Sequence, residues 1–297
     1  MDDLCIVIVS YNTRDMLRDC LRALSAATAG LRTSVWLIDN ASTDGSPEMA
    51  AREFPETRVM ANDRNVGFAR ANNQALEQAD ARYLLLLNPD TEARPGSLAL
   101  AVAHMDADPR MGACGPMLLN TDGSLQRNGG RFPTPFRELL HVTGLWRLAP
   151  RRYELAMEHG REDFSAEAEV DQVSGACLLV RAEAAKQVGL LDDRFFMFYE
   201  DVEWCRRLRR AGWSVRYLPD VQVVHHWMGS VRQSSRRMTE QLLKSQLLYY
   251  RKTGGPVAAA AVLGVIALGL CKNGILHAGS AVKRGLRAVR PGSRPQA

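Results

Sequence analysis

Short apolar runs alternate with amphipathic segments along the first three quarters of this chain. The runs have no polar face and are too short for helices, which is typical of strands covered on both sides in a parallel sheet. Between them, apolar residues recur at helical spacing, as Leu17, Leu21 and Leu24 do. This alternation predicts an α/β protein with a parallel, doubly wound sheet. The predicted strands cover residues 4–9, 35–38, 58–60, 83–87, 112–119, 171–180, 215–218 and 221–224, and one predicted helix covers residues 68–78.

Polar residues stand where several of these strands end. Asp90 follows the run 83–87, and Pro89 restricts the backbone between Asn88 and Asp90. Ligands of open α/β sheets bind beyond the carboxyl ends of the strands, so these residues are candidates for a binding site. The alternative is an ordinary Asn-Pro-Asp turn. The first two strands end with groups that suit a base and a ribose, namely Ser10, Asn12, Asp39 and Asn40.

The sequence has no glycine-rich phosphate loop of the Walker or dinucleotide-binding type. A bound diphosphate would need another clamp, and a divalent metal held by Asp90 is the simplest, because Mg²⁺ typically takes one or two carboxylates plus substrate phosphates. Gly175 interrupts an apolar run, which suits the close approach of a sugar or diphosphate; a β-bulge is the alternative. His225 ends the last predicted strand, where an imidazole suits a metal or phosphate role.

Four short motifs follow one another along the chain: Ser10-Tyr11-Asn12, Asp39-Asn40-x-Ser42-x-Asp44-Gly45, Asn65-Val66-Gly67-Phe68-Ala69-x-Ala71-Asn72-Asn73 and Asn88-Pro89-Asp90. This ordered set resembles that of family 2 glycosyltransferases, in the branch that contains bacterial rhamnosyltransferases. The resemblance covers residues 4–235. It implies the GT-A fold, which is a Rossmann-like mixed sheet, here with a C-terminal helical appendage. It also implies a nucleotide-diphosphate sugar donor, a divalent metal (Mg²⁺ or Mn²⁺) and inversion at the anomeric carbon. The family's Asp-x-Asp metal motif is Asn88-Pro89-Asp90 here, so its first carboxylate is absent.

The resemblance also implies which residues act. The segment Glu200-Asp201-x-Glu203 is similar to the family's Glu-Asp-x-Asp/Glu motif, in which the Asp of the pair is the catalytic base. That position is Asp201, although acids at a helix start are also favoured by capping and the helix dipole. We predict that the nucleotide sugar contacts Ser10, Tyr11, Asn12, Asp39, Asn40, Gly67, Asn72, Asn88 and Gly175.

A second metal ligand is implied near the end of the predicted sheet. Residues 225–230 resemble the family's His-x-x-Gly-x-Ser element, with Met228 where a glycine is usual. We therefore predict that His225 joins Asp90 in holding the metal. The arginines that follow could meet the diphosphate or form a solvated basic face; they are Arg232, Arg236 and Arg237.

Composition restricts the class of protein. Hydrophobic residues make up 46% and charged residues 24% of the chain, which is typical of a globular protein and not of a disordered one. The six cysteines are scattered without a Cys-x-x-Cys pair, so neither a zinc site nor a disulfide framework is indicated, and a reducing cytosol fits best. No secretory signal peptide is predicted at Met1. Only the end of the chain is strongly basic and no nucleic-acid motif occurs, so nucleic acid is not an expected partner.

The C-terminal part of the chain predicts membrane attachment. Residues 257–271 carry no charge, and six basic residues without an acidic one follow from Lys272 onward. A transmembrane helix needs about 20 apolar residues, so this run is too short to span comfortably, and a helix packed on the catalytic domain is the alternative. An apolar segment plus a polybasic one gives stable surface attachment. We predict a catalytic domain over residues 1–235 and a helical, basic, membrane-associating segment over residues 236–297, peripheral on the cytoplasmic face of the membrane.

Together these features predict an inverting glycosyltransferase of cell-surface polysaccharide synthesis. The resemblance favours rhamnose from dTDP-rhamnose as the donor sugar and a glycan acceptor, in particular a lipid-linked one. A non-catalytic protein that binds a nucleotide sugar or glycan would have no use for Asp90 and Asp201 together. A nucleotidyltransferase on a similar sheet would carry a glycine- and lysine-rich triphosphate loop near its first strand, and the sequence has none.

Overall fold

A computed structural model describes residues 1–155, 163–226 and 235–288, and for residues 235–236 and 270–288 it describes the backbone only. These residues form an α/β fold. Its strands are β1 (Asp2–Ser10), β2 (Thr33–Asp39), β3 (Arg58–Ala61), β4 (Ala81–Leu87), β5 (Thr91–Ala93), β6 (Met111–Leu119), β7 (Leu125–Gln126), β8 (Ala168–Glu169), β9 (Cys177–Arg181) and β10 (Ser214–His225). Its helices are α1 (Arg14–Ala27), α2 (Ser46–Glu53), α3 (Phe68–Leu76), α4 (Ser97–Ala107), α5 (Pro135–Thr143), α6 (Pro150–Tyr153), α7 (Ala182–Val188), α8 (Glu200–Arg210) and α9 (Ser235–Ala288), with a 3₁₀ helix at Leu145–Leu148.

The strands join in one sheet with the order β3-β2-β1-β4-β9-β6-β10-β5. In addition, β7 pairs with β6 and β8 pairs with β10. The neighbours β3, β2, β1 and β4 run parallel, as the alternating pattern predicts. The sheet as a whole is mixed, because β9 runs antiparallel to β4 and β6, and β5 runs antiparallel to β10. This mixed sheet agrees with the GT-A resemblance, and the alternation of strands and helices predicted only its parallel part.

Both faces of the sheet are covered, which explains the continuous apolar runs. Side chains alternate across a strand, so successive residues of β1 enter two different hydrophobic clusters. One cluster contains Leu4, Ile6 and Ile8, and the other contains Cys5, Val7 and Val9.

Two predictions about individual strands need correction. The segments 215–218 and 221–224 are one strand, β10, with a shift of register against β6 between Leu218 and Gln222. Gly175 was expected inside a strand, but β9 begins only at Cys177 and Gly175 lies in the turn before it. A turn needs no ladder bonds from Gly175, so its backbone N–H is available for another acceptor.

By compactness the chain divides into two units. The first contains Met1–Phe132 and Arg151–Tyr249, including the whole sheet, and the second contains Pro133–Pro150 and the described chain from Tyr250 onward. This division by compactness does not coincide with the predicted boundary after residue 235. That boundary separates a predicted catalytic part from a predicted membrane-associating part, and it stays a prediction. Within the second unit α9 is interrupted at Gly255, which has φ 69° and precedes Pro256. Proline cannot donate the helical hydrogen bond at that point, which accounts for the kink.

Candidate active site

The first two strands present their polar ends side by side. Ser10 and Asp39 are partners in the β1–β2 register, and the backbone N–H of Asn40 donates to the Ser10 carbonyl oxygen over 2.8 Å. Asp39 Oδ2 accepts from the Ser42 N–H at 2.8 Å, whereas Asp39 Oδ1 is buried with no hydrogen-bond partner among the described residues. Leaving a carboxylate oxygen unpaired is costly, so Asp39 is suited to accept from a ligand hydroxyl or N–H.

Asn12 and Asn40 tie the loops around this edge together. Asn12 has a left-handed backbone with φ 55°, its N–H donates to Ser42 Oγ at 2.9 Å, and its side-chain oxygen accepts from the Thr43 N–H at 2.8 Å. Asn40 Oδ1 accepts from Asn62 Nδ2 at 3.0 Å. These bonds engage the side-chain oxygens of Asn12 and Asn40 within the protein, so both residues shape the loops around the site.

Gly67 allows a second loop to approach closely. Its φ is +90°, and a Cβ atom there would lie 2.5 Å from the carbonyl oxygen of Phe196, a contact that no side chain tolerates. That same oxygen accepts from the Phe68 N–H at 2.6 Å. Asn72 is buried in α3, and its Nδ2 donates to the Phe68 carbonyl at 2.9 Å. Gly67 thus allows the start of α3 to bond the segment that precedes α8, whereas the Asn72 bond lies within α3.

The short strand β5 brings the two predicted metal ligands together. Thr91 pairs with His225 in the antiparallel β5–β10 ladder, and Asp90 immediately precedes Thr91. The N–H of His226 donates to the Asp90 carbonyl oxygen at 2.9 Å, which continues the pairing by one residue. As a result, Asp90 Oδ1 lies 3.4 Å from His225 Nε2, and both side chains are largely buried.

Gln126 determines which nitrogen of His225 carries a proton. Gln126 Nε2 donates to the backbone carbonyl of His225 at 2.7 Å, so its Oε1, which lies 3.0 Å from His225 Nδ1, must be the acceptor there. His225 Nδ1 is therefore the N–H donor. Its Nε2 then faces Asp90 Oδ1 either with the second proton of an imidazolium or with a lone pair, an arrangement that suits a cation shared by the two groups.

The donor set fits a divalent cation that takes further ligands from a substrate. No group of three or more His, Cys, Asp or Glu side chains placed to hold a metal occurs within residues 1–155, 163–226 and 235–269. One carboxylate and one imidazole nitrogen form a partial site, and cations such as Mg²⁺ usually complete theirs with water and substrate phosphates.

The predicted base lies in the first turn of α8. Asp201 Oδ2 accepts from the Gly175 N–H at 2.7 Å, and Oδ1 accepts from the Val202 N–H at 2.7 Å. Burial raises the pKa of Asp201 above its ordinary value, while the backbone donors, Gly175 first, act in the opposite direction. A carboxylate held in a fixed orientation with a raised pKa is well suited to accept a proton.

The two other acids of the first turn of α8, Glu200 and Glu203, have different partners from Asp201. Glu200 is buried, and its Oε2 has no hydrogen-bond partner among the described side chains and backbone. Burial, and secondly the charge of Asp201, raise the pKa of Glu200 well above its ordinary value. Glu203 instead pairs with Arg207 at 2.9 Å. The three acids therefore have distinct environments, with Glu203 paired and Glu200 favoured in its neutral form.

The backbone leading into α8 is strained. Phe198 and Tyr199 have φ of 72° and 68°, a left-handed conformation that aromatic residues seldom adopt. Each such residue costs about 1–3 kcal/mol unless its surroundings hold it in place. The ring of Tyr199 packs against that of Tyr249, with centroids 5.2 Å apart. The residues before Asp201 are thus held by the first turns of α9.

One turn connects the predicted metal motif with the predicted base. The carbonyl oxygen of Ala176 accepts from the Asn88 N–H at 2.9 Å, and the N–H of Gly175 donates to Asp201. A Cβ atom on Gly175 would lie 3.4 Å from Asp201 Oδ2, so a glycine permits this approach without a neighbouring methyl group. Consecutive residues of the turn hold the Asn88-Pro89-Asp90 motif on one side and Asp201 on the other.

The first unit contains a cavity of about 540 Å³, and Asp201, Gly175 and His225 are not among the residues that line it. Four predicted site residues line it: Tyr11, Asn40, Asn88 and Asp90. The cavity is also lined by Phe196, Met197 and residues of α9, namely Arg237, Met238, Glu240, Gln241 and Lys244. The volume is sufficient for a ligand of nucleotide size, since pockets for such ligands measure about 300–1,000 Å³.

The family profile described as Glycosyl transferase family 2 matches residues 5–189, more than half of the chain. The chain belongs to glycosyl transferase family 2. It is 36% identical over 237 residues to the N-acetylglucosaminyl-diphospho-decaprenol L-rhamnosyltransferase of Mycobacterium tuberculosis, covering 76% of each chain. It is also 25% identical over 232 residues to the dTDP-rhamnosyl transferase RfbF of Shigella flexneri, covering 74% of this chain and 67% of that protein. The family, the rhamnosyltransferase-like branch and the glycosyltransferase activity are therefore confirmed.

A solved structure shows the same fold for this family 2 glycosyltransferase. The mannosyltransferase PcManGT from Pyrobaculum calidifontis, in complex with GDP-Man and Mn²⁺, superposes with a TM-score of 0.56 at 16% identity. The match covers 95% of this chain and 80% of that one. The predicted GT-A fold, with a C-terminal helix added to it, is confirmed.

Sequence reasoning missed several residues of this glycosyltransferase's site. Gln126 orients His225 from a region without a clear pattern, and Gln241 and Lys244 line the cavity from a helix predicted to lie outside the catalytic domain. The helical spacing of the cavity-lining residues of α9 was the available signal. Arg237 does line the cavity, whereas residues 227–230 and 232, and the Arg236 side chain, lie outside the described residues.

Proposed function

We propose that this glycosyltransferase moves L-rhamnose from dTDP-rhamnose to a lipid-linked glycan acceptor, with inversion of the anomeric carbon, in cell-surface polysaccharide synthesis. The names of the Mycobacterium tuberculosis and Shigella flexneri relatives support the sugar, and the first of them supports a diphospho-polyprenol acceptor. The sequence has no glycine- and lysine-rich triphosphate loop near its first strand, and a nucleotidyltransferase would carry one.

Asp201 is the proposed base. Its carboxylate removes the proton of an acceptor hydroxyl as that oxygen attacks the anomeric carbon and the bond to the nucleoside diphosphate breaks. The Gly175 and Val202 N–H groups keep the carboxylate oriented during the transfer. No covalent enzyme intermediate is required, so a single displacement inverts the configuration.

The diphosphate end of the donor is proposed to lie between Asp90 and the basic face of α9. A divalent cation, Mg²⁺ or Mn²⁺, held by Asp90 and His225 would stabilise the negative charge on the departing diphosphate. Arg237 and Lys244 of α9 line the same cavity and supply positive charge, and α9 also adds the acid Glu240 to the lining. Tyr11 and Asn40, which line the cavity, are proposed to contact the nucleoside, together with Ser10, Asp39 and Asn12 at or just beyond the ends of β1 and β2.

The observation that carries this proposal is the turn at residues 174–176. It is bonded to Asn88 of the predicted metal motif through Ala176 and to Asp201 through Gly175. A displacement needs the base and the leaving-group stabiliser on opposite sides of one carbon at fixed separation. A turn bonded to Asp201 and to Asn88, two residues before Asp90, is a means of fixing that separation, and a binding module would gain nothing from it.

We also propose that the enzyme works on the cytoplasmic face of the membrane, attached through its C-terminal segment. The helical stretch Arg237–Gly269 is long and apolar enough to cross a membrane by length and composition. Only 11% of the most apolar 18-residue stretch of this helix is buried, which argues against the alternative of a helix packed in the core. The six basic residues that follow in sequence suit anionic lipid headgroups.

A donor screen tests the function. Purified enzyme is incubated with dTDP-rhamnose and a panel of other nucleotide sugars, with a diphospho-lipid GlcNAc acceptor, with and without divalent metal, and nucleoside diphosphate release is measured. We expect release that depends on acceptor, on metal and on dTDP-rhamnose, and a product of inverted configuration. Release from another donor would replace the sugar assignment, and binding without any release would reject catalysis by this chain.

A further inference from the structure

We infer that residues 133–150 form a second membrane-binding surface, which inserts apolar side chains among anionic lipids beside the C-terminal helix. The inference rests on the membrane location proposed above and adds a part of the chain that the sequence pattern did not indicate. The segment contains α5 and the 3₁₀ helix at Leu145–Leu148 and belongs to the same compact unit as the chain after Tyr250. We call it the 133–150 segment.

The 133–150 segment exposes large apolar side chains. Leu148 is 83% exposed, Phe136 55% and Leu145 50%, and no residue of α5 is fully buried. In a 3₁₀ helix three residues complete a turn, so Leu145 and Leu148 project from the same side. Monomeric soluble proteins seldom concentrate exposed apolar side chains in so short a stretch, and such patches mark sites of protein or membrane contact.

This segment is fixed to the apolar part of α9. The Tyr250 hydroxyl donates to Glu138 Oε1 at 3.1 Å. Further along, a Cβ atom on Gly269 would lie 3.3 Å from Val142 Cγ1, so a small residue of α9 receives the side of α5. The part of α9 in this unit also exposes apolar residues, with Val257 at 80% and Leu263 at 55%. Two segments distant in sequence therefore form one unit with exposed apolar residues on each.

The chemistry of the segment favours a lipid surface over a protein partner. Trp146 stacks on His141, with ring centroids 6.2 Å apart, and the Arg147 guanidinium lies 5.3 Å from the centre of the Trp146 ring. Tryptophan prefers the level of the lipid headgroups, and an arginine beside it can reach phosphate. Within the segment, residues 139–150 include the basic Arg147 and no acidic residue. A surface with apolar tips and basic charge complements a membrane that contains anionic lipid.

Vesicle binding by the full-length protein tests the inference. Partition is measured by flotation with vesicles of phosphatidylethanolamine and phosphatidylglycerol, and with neutral phosphatidylcholine vesicles, for wild type and for Leu145→Gln/Leu148→Gln. The control is Leu100→Gln/Leu125→Gln, which changes two leucines that are each 39% exposed in the first unit. We expect the first variant to lose roughly tenfold or more in partition to the anionic vesicles and the control to lose less than about twofold.

A second readout locates the segment directly. Brominated lipids quench tryptophan fluorescence at short range, so quenching that disappears in Trp146→Phe would show that this side chain enters the bilayer. Unchanged partition of Leu145→Gln/Leu148→Gln, with wild type still bound, would overturn the inference while leaving attachment through the C-terminal segment intact. A change of oligomeric state instead of partition would assign the surface to a second copy of the chain and also overturn it. Transfer to a soluble acceptor, measured in parallel, tests the proposed function separately.

Discussion

The Ser245 hydroxyl donates a 2.7 Å hydrogen bond to the backbone carbonyl oxygen of Met197. Ser245 is buried on α9, and Met197 precedes the two left-handed residues that lead into α8. Four residues further along α9, the Tyr249 ring packs on Tyr199. The start of α9 therefore supports the strained segment from which Asp201 projects.

Removing this support should slow transfer more than it weakens donor binding. Ser245→Ala leaves the Met197 carbonyl without its donor, so we expect a loss of about 1 kcal/mol in the free energy of unfolding. We also expect kcat to fall about fivefold with little change in the donor KM, because Asp201 is held less firmly. Ser214→Ala is the control, since that hydroxyl also donates to a carbonyl, at 3.2 Å from Arg110 oxygen. Equal kcat values for the two variants would contradict the supporting role.

Asp90→Asn should remove most activity without unfolding the protein. Asp90 lies at a strand end and contributes charge to the site, not apolar packing. Losing such electrostatic stabilisation costs about a hundredfold or more in kcat. Glu92→Gln, two residues away and paired with His226 at 2.6 Å, should stay active. Steady-state kinetics of both variants, with and without chelator, measure this loss. If both the wild type and Asp90→Asn stay active in the presence of chelator, no metal acts at Asp90.

Gln126 should act on metal affinity through His225. Gln126→Met removes the acceptor that fixes His225 Nδ1 as donor, so the ring can rotate and its Nε2 is presented less often to Asp90. Losing such an orienting partner typically costs about 10–100-fold in metal affinity. The expected result is activity restored by higher Mn²⁺, with the metal titration followed by Mn²⁺ electron paramagnetic resonance. Gln187→Met serves as the control because Gln187 bonds Trp213 away from this pair. Identical Mn²⁺ titrations for Gln126→Met and wild type would contradict the role.

Asp201→Asn should abolish transfer and leave nucleotide binding nearly unchanged. An amide cannot take the acceptor's proton, and loss of a general base costs about a hundredfold to ten-thousandfold. Burial raises the pKa of Asp201, so the wild-type rate should fall on the acid side at a pH higher than the ordinary aspartate value of 3.8. Calorimetry with dTDP measures nucleotide binding by Asp201→Asn, and the pH profile of the wild-type kcat measures the acid-side fall in rate. An active Asp201→Asn beside an inactive Glu200→Gln or Glu203→Gln would move the base to the other residue.

Glu200 should make stability depend on pH. Because burial raises the pKa of Glu200, the folded protein keeps its proton at pH values where the unfolded chain, near 4.5, has lost it. Stability from this group is thus fully present below pH 4.5 and falls as pH rises toward the folded pKa, by up to about 1.4 kcal/mol per pH unit. Glu200→Gln should remove that decline and be the more stable protein at pH 8. Urea unfolding from pH 4 to 8 measures it, and parallel curves for the two proteins would contradict the prediction.

Glu203→Gln provides the contrast within the same helix. Glu203 is buried and bonded to Arg207, so the amide leaves the guanidinium with a weaker partner. We expect this variant to be less stable than wild type at pH 8, opposite in sign to Glu200→Gln.

The sequence predicted the parts of the site that depend on strand ends. Ser10, Asp39 and Asp90 follow apolar runs, and in a sheet with parallel central strands such ends meet at one edge, as β1, β2 and β4 do. The resemblance added Asp201, which periodicity alone could not separate from an ordinary acidic helix start. Its position as the base stays a prediction.

The remainder depended on contacts that periodicity does not encode. Three residues of β5 are too few to show a pattern, yet their pairing with β10 places His225 beside Asp90. Gly175 looked like part of a strand because its neighbours are apolar, and only the fold shows its N–H directed to Asp201. Ser245 belongs to a helix whose apolar half suggested attachment alone, and its bond to Met197 joins residues 48 apart in sequence.

The packing of Tyr249 on Tyr199 also sets a practical limit for protein engineering. A fragment that ended at residue 235 would delete Ser245 and Tyr249, and would leave the left-handed residues before α8 with fewer neighbours to hold them. A fragment that ended after Tyr250 keeps these contacts and omits the exposed apolar residues of α9 from Val257 onward. The useful cut for removing the apolar part of the C-terminal helix therefore lies about four turns into it, and the 133–150 segment stays in that fragment as the surface inferred to bind lipid.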